Sequence, residues 1–98
     1  MQGYQISRGG NGPVGITSLN ATIADSASHT VALAAPANQV KIRNYDTSHP
    51  LYVSFYGPAT TNNYGVAPGA ELVYDGPAVT QLFLNSNGNS VNFGIFAV

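Results

Sequence analysis

Stretches in which apolar and polar residues alternate run through most of this chain, separated by Gly, Pro and Asn. Val40 and Ile42, for example, alternate with Lys41 and Arg43. A period of two places successive side chains on opposite faces of a β-strand, whereas an amphipathic helix needs a period near 3.6. No window of about ten residues has that longer period. The alternation therefore predicts an all-β fold.

The alternating stretches predict about seven or eight short strands joined by turns. They cover residues 14–24, 29–35, 39–45, 51–56, 69–75, 80–84 and 90–98. Pro36 is expected to end the second stretch, for which a short helix is the alternative because the stretch is rich in Ala. The Asn87-Gly88 step is typical of a tight hairpin turn. Strands of this length and spacing favour a single β-sandwich, of jelly-roll or Greek-key type, over residues 14–98. Neither an internal repeat nor a second domain is visible in the sequence.

Residues 1–13 are expected to form a flexible, Gly-rich arm in front of the sandwich, because they combine several glycines with Pro13. Tyr4, Ile6 and Arg8 are the anchors of this arm if it docks on a neighbouring molecule. The alternative is a frayed terminus. Because the segment has one Arg and no apolar run, the sequence predicts no cleavable secretory signal.

Charged residues are scarce. The 98 residues include three Lys or Arg and four Asp or Glu, so 7% are charged and the net charge is −1. A typical soluble domain carries roughly 25%. The deficit argues against nucleic-acid and membrane-surface partners, whose binding depends on clustered positive charge. A small domain without cysteines usually gains stability by association, so a homo-oligomer is expected.

The sequence offers no convincing catalytic or metal-binding constellation. His29 and His49 are the only histidines, and the four acidic residues are scattered over turns and strand ends. Ser48 adjoins His49, but neighbours on an extended chain point to opposite faces. We therefore expect no enzyme, no cofactor and no metal site, with both histidines bonded to backbone or water. A metal site stays open only if strand pairing or a three-fold axis gathers these residues.

Tyrosines crowd the middle of the chain, and Tyr52 and Tyr56 share one predicted strand phase. An exposed tyrosine combines an apolar ring with a hydrogen-bonding tip, which suits both protein interfaces and sugar stacking. Three interpretations stay open: a covered sheet face, a subunit contact or a glycan site. Tyr64 is expected at the tip of an exposed loop, residues 58–68. The expected partner-contact residues are Tyr4, Ile6, Arg8, Tyr45, Tyr52, Tyr56 and Tyr64.

From Gln39 onward the order of motifs is similar to that of a known family. V-K-I-R-N (40–44) precedes a polar turn ending in Pro50, then L-Y-V-S-F-Y-G (51–57), a Pro-Gly turn (68–69) and a last strand V-N-F-G-I-F (91–96). This order resembles small β-sandwich virion proteins of tailed bacteriophages, in particular capsid decoration or cement proteins. The resemblance implies that Asn44 is a strand-end asparagine whose side chain holds the following turn.

The resemblance also implies a function without chemistry. Such a subunit, often a trimer, binds between major capsid proteins on the capsid surface of the virion, after synthesis in the host cytoplasm, and stabilises the head. The alternative from a different class is a carbohydrate- or receptor-binding β-sandwich module, from a phage fibre or a lectin-like adhesin. Exposed tyrosines beside Asn or Asp, as at Tyr45-Asp46 or Asn62-Asn63-Tyr64, would serve that alternative.

Overall fold

Alternation in the sequence becomes strand structure over most of the chain. The computed structural model describes residues 16–98, of which 63% lie in β-strands and none in a helix. The strands are β1 (Thr17–Ile23), β2 (His29–Asn44), β3 (Leu51–Ser54), β4 (Tyr64–Val66), β5 (Glu71–Asn85) and β6 (Val91–Ala97). The all-β prediction is therefore confirmed. The predicted arm, residues 1–13, lies outside the described residues.

The described strands form one antiparallel sheet in the order β1-β6-β2-β5-β3-β4. The sheet curls into a half-barrel, and two separate packed sheets are not seen in residues 16–98. Its inner face holds the apolar phase of each strand, including Val40, Ile42, Leu51, Leu84 and Val91, all fully buried. The inward and outward phases predicted for β2, β3 and β6 thus hold for these residues.

Two strands are much longer than their sequence predicts. Pro36 lies inside β2, and Gly76-Pro77 lies inside β5. The β2–β5 register shifts between Ala32 and Gln39, so both prolines occupy an irregular part of the ladder. Proline is tolerated there because a bulged residue needs no ladder hydrogen bond from its N–H. The expectation that Pro36 ends a strand was wrong for this reason.

The turns have the backbone conformations that their residues favour. Asn87 and Gly88 have φ values of 54° and 85°, and Gly69 has a φ of 75°. The positive φ predicted for the Asn-Gly step is confirmed, but the hairpin is not. β5 pairs with β2 and β3, whereas β6 pairs with β1 and β2. The turn therefore joins two strands that are not neighbours in the sheet.

The strand order has an internal symmetry that the sequence does not reveal. Exchanging β1, β2 and β3 for β4, β5 and β6 gives the same order, read from the opposite edge of the sheet. The long strands β2 and β5 each run through two halves of the sheet. We define the charged half as β1, β6 and residues 40–44 and 71–75, and the neutral half as β3, β4 and residues 29–32 and 81–85.

An asparagine ends each long strand and holds the loops around it. The side-chain amide of Asn44 donates to the carbonyls of His49 and Val66 at 2.8 and 3.0 Å, and its oxygen accepts the Asp46 N–H at 2.8 Å. Asn44 is fully buried. The structure thus confirms that this side chain holds the turn after β2.

Asn85 makes a similar set of hydrogen bonds at the end of β5. Its amide donates to the carbonyls of Ser26 and Ala59 at 3.2 and 3.0 Å, and its oxygen accepts the Asn87 N–H at 2.7 Å. The same kind of side chain therefore ends the two symmetry-related strands β2 and β5, although the bonded carbonyls belong to different loops.

Candidate interaction surface

The outer face of the charged half carries a cleft of about 360 Å³. Two cross-strand rows build it, because residues opposite one another in an antiparallel pair share a face. Strand register gives the first row as Ser18, Phe96, Lys41 and Val73. It gives the second as Asn20, Gly94, Arg43 and Glu71. With Tyr45, which follows β2, all but Val73 of these residues line the cleft.

Gly94 lets two side chains approach the floor of the cleft. A Cβ atom at position 94 would lie 2.6 Å from Oδ1 of Asn20 and 2.9 Å from Cε2 of Tyr45. Such distances are far below van der Waals contact, so any larger residue would displace both side chains. The Arg43 guanidinium lies 5.7 Å from the centre of the Tyr45 ring, within cation–π range. Gly94 therefore leaves room for the Asn20 and Tyr45 side chains, and Tyr45 lies beside Arg43.

Lys41 and Arg43 project from the same side of β2 and are both exposed. Neither forms an ion pair with any acid of residues 16–98. Glu71 faces Arg43 in the strand register without closing such a pair. The cleft therefore brings two cations and one carboxylate together, which gives it a net charge of +1.

Of the predicted contact tyrosines that lie in residues 16–98, Tyr45 alone lines the cleft; it is 53% exposed. Tyr52 is half-buried, and its ring lies against Gly65 on the neighbouring strand. Tyr64 is 66% exposed, but it begins the edge strand β4 opposite Val53. It is not at a loop tip, because the connection between β3 and β4 ends before it.

Tyr56 does not share the outward phase of Tyr52, because β3 ends at Ser54. It is 83% exposed and lies near Tyr74, whose ring packs at 4.6 Å from that of Phe55. Partial burial raises the pKa of Tyr74, and the Tyr56 hydroxyl raises it further. The tyrosines thus occupy several separate places. Tyr4, Ile6 and Arg8 lie outside the described residues.

Each histidine contacts a nearby acid in a loop. Nε2 of His29 lies 2.7 Å from Oδ1 of Asp25, and Nδ1 of His49 lies 3.1 Å from Oδ2 of Asp46. The expectation of backbone or water partners was therefore wrong for both side chains. Neither histidine lines the cleft.

The two acids are held by more than their histidines. The His29 ring, together with the Ala27 N–H, lowers the pKa of Asp25. The backbone N–H groups of Ser48 and His49 lower the pKa of Asp46, and the His49 ring adds to this. Both carboxylates therefore act as caps of their own loops.

In the described part of the chain, no group of three or more His, Cys, Asp or Glu residues is placed to hold a metal ion. Residues 16–98 also contain no helix with the length and apolarity to cross a membrane.

Sequence reasoning missed most of the cleft. Ser18, Asn20, Gly94, Phe96 and Glu71 come from three strands, β1, β5 and β6, and β1 lies far from the other two in the chain. Their alternation predicts that they face outward, but only the register between strands places them together. The local signals were Lys41 and Arg43 on a single strand face and the nearby Tyr45.

Comparison with protein-family models, curated proteins and solved structures finds no match for this chain.

Proposed function

We propose that this protein is a structural subunit of a bacteriophage virion, a capsid decoration or cement protein that binds between major capsid proteins. In this role it acts as a homotrimer and stabilises the head without catalysing a reaction. At a finer level of fold, the register shift between β2 and β5, where both strands pass from one half of the sheet to the other, supports a jelly-roll-like sandwich. The resemblance of the motif order in residues 39–98 to that of such proteins gives this proposal its specific form.

The distribution of charge carries the proposal. Four charged residues lie on described strands, namely Lys41, Arg43, Glu71 and Asp75, and all of them belong to the charged half. The strands of the neutral half have no Lys, Arg, Asp or Glu. Its outward rows are instead Thr30, Phe83 and Ser54, then Ala32 and Gln81.

An uncharged, partly aromatic sheet face is suited to burial against another protein. Burying charged groups without partners costs several kcal/mol per ion, so the centres of protein interfaces are depleted of charge and enriched in aromatic residues. Apolar area removed from water stabilises such a contact by about 25 cal/mol per Å². Many copies on one shell would add their effects, so modest affinity per subunit still resists heat or pressure.

Reconstitution on shells tests the proposal. Purified full-length protein is added to capsids of its source that lack it, and the shells are sedimented and heated. We expect co-sedimentation and a higher temperature of shell disruption. Light scattering of the free protein should give the mass of a trimer. A dilute, thermally stable monomer that leaves the shells unchanged would contradict the proposal.

A second candidate function is carbohydrate binding, favoured by the exposure of Tyr64 beside the exposed Asn62. The ring can stack on a sugar, and the amide can bond its hydroxyls. A glycan array decides this candidate: binding that Y64A abolishes would support it. An array without hits would remove this function and leave the decoration function in place.

A further inference from the structure

We propose that the cleft of the charged half binds a single carboxylate, supplied by an acidic side chain in an extended segment of the protein partner. This inference rests on the proposed function, because it names the contact that orients the subunit on its shell. The neutral half supplies buried area in this scheme, and the cleft supplies one specific polar contact.

The charge of the cleft is complementary to one carboxylate. Lys41 and Arg43 line the cleft without an ion-pair partner in the described residues, and Glu71 cancels only one of their charges. One added carboxylate brings the cleft to neutrality. A second would leave an excess of negative charge beside Glu71. The cleft therefore favours a single acidic side chain over a polyanion.

Arg43 is also positioned for a planar anion. Its guanidinium lies 5.7 Å from the centre of the Tyr45 ring, and that ring approaches Gly94 closely. A guanidinium binds a carboxylate through two parallel N–H···O bonds, so positioning it beforehand reduces the ordering cost of binding. Lys41, two residues away on the same strand face, adds a second donor.

The place of the cleft favours a peptide over a sugar. Ser18 and Asn20 belong to β1, the outermost of the strands described for residues 16–98, so an extended segment can reach the cleft from that edge. The Tyr45 ring is already engaged by Arg43 and close to Gly94. Phe96, the other aromatic lining residue, has no hydrogen-bonding group. A sugar ring would therefore lack a free aromatic platform with a polar tip.

A titration followed by amide chemical shifts tests the site. The probe is a capped Gly/Ser peptide with one central Glu, added to the isotope-labelled full-length protein. We expect shifts at Ser18, Asn20 and Gly94, whereas Thr30 and Phe83 in the neutral half should not move. The same peptide with Gln in place of Glu is the matched control and should bind about tenfold more weakly or worse.

Variants separate the roles of the lining residues. K41Q/R43Q should lose the response to the Glu peptide, whereas D75N, which removes an exposed charge outside the cleft lining, should keep it. G94A keeps every charge but displaces Asn20 and Tyr45, so it should also weaken binding. Folding of each variant is checked from the unchanged amide spectrum of the neutral half.

Three results would overturn the inference. They are equal binding of the Glu and Gln peptides, an unchanged response in K41Q/R43Q, and glucuronic acid shifting the same amides at lower concentration than the peptide.

The shell assay separates this inference from the proposed function. If K41Q/R43Q still binds shells as the wild type does, the cleft contact is wrong and the decoration function stands. If the wild type does not bind shells, the decoration function fails, and the peptide titration still decides the carboxylate site.

Discussion

At the scale of single residues, two asparagines hold the ends of the sheet. Asn44 and Asn85 each donate to two carbonyls and accept the N–H two residues ahead. An aspartate has no donor for the carbonyls, and a leucine cannot serve any of the three groups. Buried backbone groups need partners, so these positions require an amide.

Replacing either asparagine should destabilise the fold strongly. N44A and N85A remove the side chain and leave buried carbonyls without a donor, so each should lower the free energy of unfolding by about 2–4 kcal/mol. Urea unfolding measures the change. N62A, at an exposed loop position, is the matched control and should stay within about 0.5 kcal/mol of the wild type. Equal stability of N44A and N62A would show that the loop does not depend on Asn44.

Asp46 should make stability depend on pH in the acid range. The N–H groups of Ser48 and His49 lower its pKa in the folded protein. The stability that Asp46 contributes is therefore complete above the pKa of the unfolded state, about 3.9. That contribution is lost as the pH falls through the lowered folded value. The melting temperature of D46A should therefore lie below that of the wild type at pH 7, and the gap should shrink towards pH 2. D75A is the control, and a gap that is constant with pH would contradict the assignment.

At the scale of elements, the sequence predicts which face of a strand is buried better than it predicts how long the strand is or which strand it pairs with. The alternation gives the buried phases of β2 and β6, because a buried face needs period two. It divides the long strands wrongly, because Pro36 and Gly76-Pro77 look like strand ends but lie in bulges. Nothing local tells that β6 pairs with β1 and β2, since register depends on contacts between distant parts of the chain.

The residues of the cleft could be predicted only in part, for the same reason. Lys41 and Arg43 could be assigned to one face from their spacing alone, and Tyr45 could be singled out as an exposed aromatic residue. Gly94 gave no signal, because its role is to admit side chains from β1 and from the residue after β2. A site made of cross-strand rows becomes visible only once the pairing is known.

The turn between β4 and β5 offers a test of backbone conformation. Gly69 has a φ of 75°, and a Cβ atom there would have no neighbour within 4 Å. G69A should therefore cost about 1–2 kcal/mol from backbone strain alone. Gly57 is equally open but does not have a positive φ, so G57A should be neutral or slightly stabilising. Thermal unfolding compares the two, and equal effects would rule out backbone strain as the cause.

At the scale of the whole molecule, the few charges of residues 16–98 are segregated. The loop acids Asp25 and Asp46 pair with histidines, and the strand charges gather in one half of the sheet. The other half is neutral on every described strand. The few charges thus make the two halves of the sheet different, although the internal symmetry of the strand order would otherwise make them equivalent. This difference fits a subunit that buries its neutral half and orients itself with its charged half.

Electron microscopy of native particles from the source tests whether this chain decorates a capsid. We expect density of the size and half-barrel shape of residues 16–98 on the outer surface of the capsid, repeated around three-fold positions between major capsid proteins. The neutral half should face the shell or the neighbouring copies. Particles whose capsid surface lacks such density, or that carry it only on the tail, would contradict the decoration function.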